Sequence, residues 1–325
     1  MAQSPLQSPD VPKNPLHDWA QFDLRLRNDL SDFVLPEIAG GSVIISFEDT
    51  IESKRPRMKI ALMCVAAALT PFAVAQKSDT WKLVWSDEFD RDGRPDPAKW
   101  TYETGFVRNR ELQWYQPENA WCENGLLIIE GRRERKKNPD FQPDRPNSSR
   151  EFAEYTSASL TTKGIASWRY GRFEMRARID TRAGLWPAFW TVGVEGRWPS
   201  DGEIDIMEYY RDTLLANLIW AGEGRTASFT KRKPLASFND PGWSRKFHVW
   251  RMDWDENRIV ISVDGEVIND SDLNQAANPD GKNGFRQAQR IILNLAIGGT
   301  AGGDPSGTEF PARFEVDYVR VYEKQ

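Results

Sequence analysis

From Trp81 onward the sequence predicts an all-β protein, a two-sheet antiparallel sandwich, on three observations. Short alternating or wholly apolar runs recur along the chain. Gly, Pro, Asn and Asp punctuate them, and no long amphipathic helix intervenes. No shift in composition divides the stretch, so the runs belong to one domain. The predicted strands follow in order: "KLVWSDEF", "NGLLIIEGRRE", "YTSASLTT", "GRFEMRARI", "GEIDIMEYY", "KFHVWRMDW", "RIVISVDGEVI", "RIILNLAIGG" and "RFEVDYVRVY". In "GRFEMRARI" the side chains of Phe173, Met175, Ala177 and Ile179 share one face, and Arg172, Glu174, Arg176 and Arg178 the other, as a half-buried antiparallel strand requires. Asp264-Gly265 between two β-branched runs signals a tight hairpin. The polar stretches 136–151, 223–243 and 269–289 are expected to be surface loops walling a groove.

Composition narrows the function. With 325 residues, 39% of them hydrophobic and 12% aromatic, the chain can bury a full core. A net charge of -5, with both signs mixed along the chain, gives no footprint for nucleic acid or an anionic membrane. The histidines are His17 and His248 and the cysteines Cys64 and Cys122, which supply neither a zinc ligand set nor a thiol centre. Cys122 is expected to be a small, partly buried residue near a strand. Fourteen Trp exceed what a core needs and suit a groove that stacks on sugar faces. Inside the chain, "KRPRMKIALMCVAAALTPFAVAQ" joins a basic cluster, an apolar run and the small-residue ending Ala73-Val74-Ala75, the pattern of a secretory signal cleaved after Ala75. The run is short for a bilayer and is broken at Thr70-Pro71, so no stable membrane association is expected. The expected organisation is an upstream extension over 1–57, a signal peptide over 58–75 and a single exported domain over 76–325, acting as a monomer.

The chemistry concentrates in "GEIDIMEYY". On a regular strand Glu203 and Asp205 point one way and Glu208 the other. One extra residue bulging out at Ile206-Met207 restores the phase, because a bulge sets two residues against one. All three acids then share a face, with the glutamates about 13 Å apart along the strand at about 3.3 Å per residue. Two long side chains leaning together across a curved sheet can bring their carboxyls to the separation of about 5–5.5 Å used by retaining glycosidases. Crowding with Asp205 should split their protonation, leaving one ionised as nucleophile and the other protonated as acid.

At these residues the chain, from about Lys82 to Glu323, resembles glycoside hydrolase family 16 in its bacterial laminarinase-like branch. "EIDIME" matches the longer Glu-x-Asp-x-x-Glu motif of that branch, and "WSDEFD", "NRELQWY", "NAWCENGLLII", "YTSASLTTKG", "GLWPAFWTVG", "ILNLAIGG" and "FEVDYVRVY" agree in order. The resemblance implies a concanavalin-like jelly roll with an open concave cleft, in a protein that a bacterium secretes or holds in its periplasm. It implies Glu203 as nucleophile, Asp205 as its helper and Glu208 as acid/base, with sugar contacts from Trp186, Trp190 and Trp198. Asn109 and Glu111 would line the non-reducing side. Catalysis would need no cofactor, while a structural Ca²⁺ on the convex face would be held by Glu88, the carbonyl of Gly125 and Asp317.

The implied partner is a polysaccharide cut internally, with β-1,3-glucan the leading substrate and mixed-linkage glucan or an agar- or carrageenan-type galactan the alternatives. A non-catalytic carbohydrate-binding module would use the same sandwich without needing three phased acids. The chain departs from the family at "LLANLIWAG", where a histidine-bearing strand is usual, so Asn217 or Trp220 is expected on the leaving-group side. A sulfated galactan would require a basic cleft, for which Arg108, Arg110, Arg197 and Arg225 are candidates.

Overall fold

The computed structural model describes residues 80–145 and 149–325. The upstream extension, the signal-like segment, His17 and Cys64 lie outside the described residues.

Two antiparallel sheets face each other. The seven-stranded sheet runs in the spatial order Arg225–Pro234, Thr213–Gly222, Glu203–Tyr210, Leu185–Gly193, Gln289–Ile297, Ser159–Thr161, Thr101–Tyr102. Glu266–Asp272, Arg258–Val263, His248–Trp254, Gly171–Ile179, Ala312–Lys324, Leu126–Gly131 and Ala120–Glu123 make up the second sheet. Trp81–Asp87 joins it as an eighth strand along Ala312–Lys324. No helix of the described residues is long and apolar enough to cross a membrane.

The alternation read from "GRFEMRARI" is the observed one. Phe173, Met175, Ala177 and Ile179 are buried and the intervening charges half-exposed. They meet Ile204, Ile206, Met207 and Tyr209 of the opposite sheet in one core cluster. Each large apolar side chain buried there contributes about 1.5–3 kcal/mol. Asp264 and Gly265 form the hairpin turn between paired Val263 and Glu266, both with positive φ, at 50° and 83°. Cys122 is a buried free thiol, and burial pushes its pKa up to about 12, which leaves it unreactive.

Two expectations about loops need correction. Residues 223–243 contain the edge strand Arg225–Pro234, paired along its whole length with Thr213–Gly222. Only Ala227 and Phe229 of that strand pack on the core, and its exposed face is polar, so its period-two pattern is weak. Residues 269–289 begin inside the strand Glu266–Asp272. The wall of the cleft is built instead from residues 103–111 and 194–201.

Candidate active site

The site starts from a close backbone approach. Gly202, with φ of 74°, lies so near Gly284 that a Cβ on it would stand 2.8 Å from the Gly284 carbonyl carbon. A Cβ on Gly284 would stand 2.6 Å from the Gly202 nitrogen. Both positions require glycine, and their contact fixes where the strand Glu203–Tyr210 enters the sheet.

Within that strand the register slips where the acid spacing demands it. Asp205 pairs with Asn217, but the next pair is Glu208 with Leu215, three residues against two. On the other side Asp205 pairs with Trp190 and Met207 with Phe189, so Ile206 is the additional residue. Ile206 and Met207 are consecutive yet both buried in the core cluster. The bulge therefore returns Glu208 to the face of Glu203 and Asp205, and all three line one cavity of about 670 Å³.

Each acid has its own donor. Trp198 Nε1 donates to Glu203 Oε2 at 2.5 Å, and Trp186 Nε1 donates to Glu208 Oε1 at 2.8 Å. Asn217 Nδ2 donates both to Asp205 Oδ2 at 2.8 Å and to Glu208 Oε2 at 2.7 Å. Asp205, 4% exposed, also hydrogen-bonds Glu203. Burial raises all three acids. Glu203 is pushed up to about 7, with the Trp198 hydrogen bond opposing and the charge of Glu208 adding to the rise. Glu208 is pushed up to about 6, opposed by Trp186, Asn217 and the nearby Arg232. Asp205 is held well above the carboxylate range by burial and then by repulsion from both glutamates. Between two acids that hydrogen-bond each other one must carry a proton, and the deeper burial of Asp205 makes it the donor to Glu203. Both glutamates thus stand above the ordinary carboxylate range, with no split between them that marks one as nucleophile and the other as acid. Their division of labour must therefore come from where each meets the sugar.

The remaining expected residues divide. Trp186, Trp190 and Trp198 line the cavity, and Trp198, 57% exposed, offers the open ring face. Trp190 Nε1 donates to Asn294 Oδ1 at 2.7 Å, and Asn294 Nδ2 donates to the Tyr115 hydroxyl at 3.0 Å. Asn294 was not singled out by sequence reasoning, although a lone Asn in the apolar run "ILNLAIGG" was a signal of a polar face. Asn109 and Glu111 also line the cavity. Asn109 Nδ2 donates to Glu111 Oε1 at 3.4 Å, Gln113 Nε2 donates to Glu111 Oε2 at 2.7 Å, and burial raises the Glu111 pKa.

Trp220 is a correction. It is three residues from Asn217, hence on the opposite face of the strand, and packs in the core against Phe229 and Phe285. Asn217 alone takes the place beside the acids.

Two of the three expected calcium ligands are engaged elsewhere. Arg320 binds Glu88 through two hydrogen bonds, Nε to Oε1 at 3.0 Å and Nη2 to Oε2 at 2.8 Å. Those bonds hold Glu88 below the ordinary carboxylate range. Asp317 pairs with Arg176, and Gly125 occupies the turn between Ala120–Glu123 and Leu126–Gly131. A donor set whose two carboxylates are each neutralised by a guanidinium does not fit a dication.

A sandwich whose cleft carries one buried and two half-buried carboxylates, phased by a bulge, has the architecture of a glycoside hydrolase. The model of the family "Glycosyl hydrolases family 16" matches residues 112–320, and the chain belongs to that family. It is 38% identical to a β-glucanase of Rhodothermus marinus, over 76% of this chain and 87% of that protein. The catalytic domain of an endo-1,3-β-glucanase (laminarinase) from Thermotoga petrophila superposes with a TM-score of 0.66 at 35% identity, covering 76% of this chain and 99% of the other. A structure from a study of endo-acting O-glycanases of human gut bacteria gives a TM-score of 0.69 at 33% identity, covering 75% and 91%. The protein is thus a glycoside hydrolase.

Proposed function

We propose that the enzyme hydrolyses internal bonds of β-1,3-glucan with retention of anomeric configuration, by double displacement at Glu203 and Glu208. The observation that carries this reading is the bulge at Ile206, which sets the two glutamates and Asp205 on one face with a separate donor for each glutamate. In the first half-reaction a Glu203 oxygen bonds to the anomeric carbon as the glycosidic bond breaks, and Glu208 gives its proton to the departing oxygen. In the second, Glu208 takes a proton from water, whose oxygen displaces Glu203 and regenerates both groups.

Positive charge developing on the sugar beside Glu203 favours its anion. The leaving oxygen beside Glu208 accepts a hydrogen bond that keeps the proton there until transfer. Asp205 donates its proton to Glu203 and shares the buried charge, while Asn217 holds Glu208 at the leaving-group side in place of a histidine. Support for β-1,3-glucan comes from the Thermotoga petrophila laminarinase. The cleft, with Trp186, Trp190 and Trp198 lining its wall, suits a polymer bound across several sugars. Export by the 58–75 segment, from a bacterium, completes the proposal.

The test is release of reducing ends from soluble laminarin. Wild-type protein should yield products of many lengths early in the digest, and Glu203→Gln should yield none. Glucose alone from the start, or activity surviving in the variant, would contradict the reading.

A further inference from the structure

A second cavity, of about 420 Å³, opens away from the cleft, and the two share no lining residue. Its lining joins the two sheets. Thr181 follows the strand Gly171–Ile179, and residues 235–244 connect the edge strand Arg225–Pro234 to His248–Trp254. The pocket lies beside the far end of the catalytic strand, where the Tyr209 hydroxyl donates to the Thr181 carbonyl at 2.6 Å and the Leu235 amide to the Asp212 carbonyl at 2.9 Å. It is built on the same frame as the acids.

The walls are set before any ligand arrives. Trp243, 4% exposed, stacks on both Phe238 and His248, with ring centroids 5.2 Å and 3.9 Å away and planes 26° and 14° from parallel. His248 is pinned in turn, with one ring nitrogen 2.9 Å from the Trp243 carbonyl and the other 2.6 Å from Asp264. Asn239 caps the short turn Leu235–Phe238 with φ of 52°. Asp240 accepts from Lys246 Nζ at 2.6 Å and from the Gly242 amide at 2.9 Å, and these bonds hold it below the ordinary carboxylate range. Paired with Lys246, it leaves the pocket without net charge.

The lining is amphipathic. Leu235, Pro241 and Trp243 give apolar surface, and Asn239, Asp240 and Ser244 give polar groups. The Ser244 hydroxyl takes no partner among the described residues, and the Trp243 indole nitrogen is buried without one. A pyranose has apolar C–H faces inside a rim of hydroxyls and matches both parts. A charged ligand would find no countercharge there, and a wholly apolar one would leave the polar groups unpaired. The volume falls within the range of about 300–1,000 Å³ usual for small-ligand sites.

We propose that this pocket is a second sugar-binding site, outside the cleft, which holds a neutral sugar residue of the polysaccharide being cut. The inference rests on the hydrolase reading above for the identity of that polymer. A long chain caught in the cleft reaches the pocket intramolecularly, so two weak contacts retain it better than either alone. A short soluble chain occupies one site at a time and gains nothing.

Two variants of the full chain test this. Ala236→Trp fills the mouth of the pocket, and Asn239→Gly with Ser244→Ala strips its polar groups while glycine keeps the positive φ. Positions 236 and 239 are exposed and 244 half-exposed, so the core is untouched. The outcome is read from Ala236→Trp, or from the second variant should the first fail to melt cooperatively. Retardation in native gels containing laminarin and the rate on insoluble β-1,3-glucan should each fall about threefold or more, with kcat/KM on a soluble tetrasaccharide unchanged. Unchanged retardation and rate would overturn the proposal. A parallel fall in kcat/KM would overturn it too, because the effect would then lie in the cleft. Hydrolysis of β-1,3-glucan with retardation that ignores the pocket sinks this proposal alone. Pocket-dependent retardation of a wild type that cuts no β-glucan sinks the hydrolase reading alone.

Discussion

Asn217 is the residue on which the two sides of the chemistry meet. One amide nitrogen donates to both Asp205 and Glu208, so Asn217→Ala leaves two buried acids each short of a hydrogen bond. A hydrogen bond to a charged group is worth about 1.5–3 kcal/mol, which predicts a loss of about tenfold or more in kcat. Substrates with good leaving groups should suffer less, because they need little protonation by Glu208. Asp205→Asn keeps the shape but removes the carboxyl that hydrogen-bonds Glu203 and tunes its charge, and kcat should fall about 100-fold or more with KM little changed. Steady-state kinetics on laminarin and on an activated aryl glycoside checks both variants. At this scale the sequence was partly legible. The three acids and the cleft tryptophans could be read from a motif, and the parity of positions 217 and 220 on one strand already excluded having both in the cleft. Of the arginines offered for a basic cleft, Arg108 and Arg197 line the cavity and Arg110 and Arg225 do not, while Lys163 and Arg290, which also line it, could not be read because they are distant in sequence and come to the site only through the sheet order.

The strand Glu203–Tyr210 owes its function to one supernumerary residue. Deleting Ile206 would leave the three acids in phase on a regular ladder, whereas inserting one further residue between Met207 and Glu208 should shift the register by one and turn Glu208 toward the core that Ile204 and Met207 now fill. The expected protein has no detectable activity and a melting temperature lower by several degrees, since a carboxylate would be forced among apolar groups. Full activity in the insertion variant would refute the phase argument. Entry to the strand is equally constrained. Gly202→Ala would push a methyl into the Gly284 backbone at a residue with positive φ, and should cost about 2–3 kcal/mol in urea denaturation. The bulge was legible because charge must face solvent or ligand, and only one extra residue satisfies that for all three acids. The edge strand Arg225–Pro234 was not, because its ladder with Thr213–Gly222 is a backbone interaction and its exposed side chains carry no apolar alternation.

For the molecule as a whole, the buried acids are a stability cost. Glu203 at about 7 and Glu208 at about 6 in the folded protein exceed the ordinary glutamate value of 4.5, so the native state holds protons that the unfolded chain releases. Their contribution to stability is therefore full below pH 4.5 and is lost as pH rises through 6 to 7. Glu203→Gln should unfold like wild type near pH 4 and be more stable by about 1–3 kcal/mol at pH 8, a gain obtained by giving up activity. Activity should follow a bell-shaped profile whose limbs belong to the glutamate pair jointly. On the opposite sheet, Arg320 and Arg176 neutralise Glu88 and Asp317, so chelator should leave the melting temperature unchanged, and a rise on adding calcium would overturn that expectation. All of these consequences follow from one claim, that the bulge sets Glu203 and Glu208 on opposite sides of the scissile bond at the spacing of a double displacement. Proton NMR of the sugar first released from a β-1,3-glucan tests it directly: the account predicts that the β-anomer appears first and mutarotates later, and initial appearance of the α-anomer would contradict it.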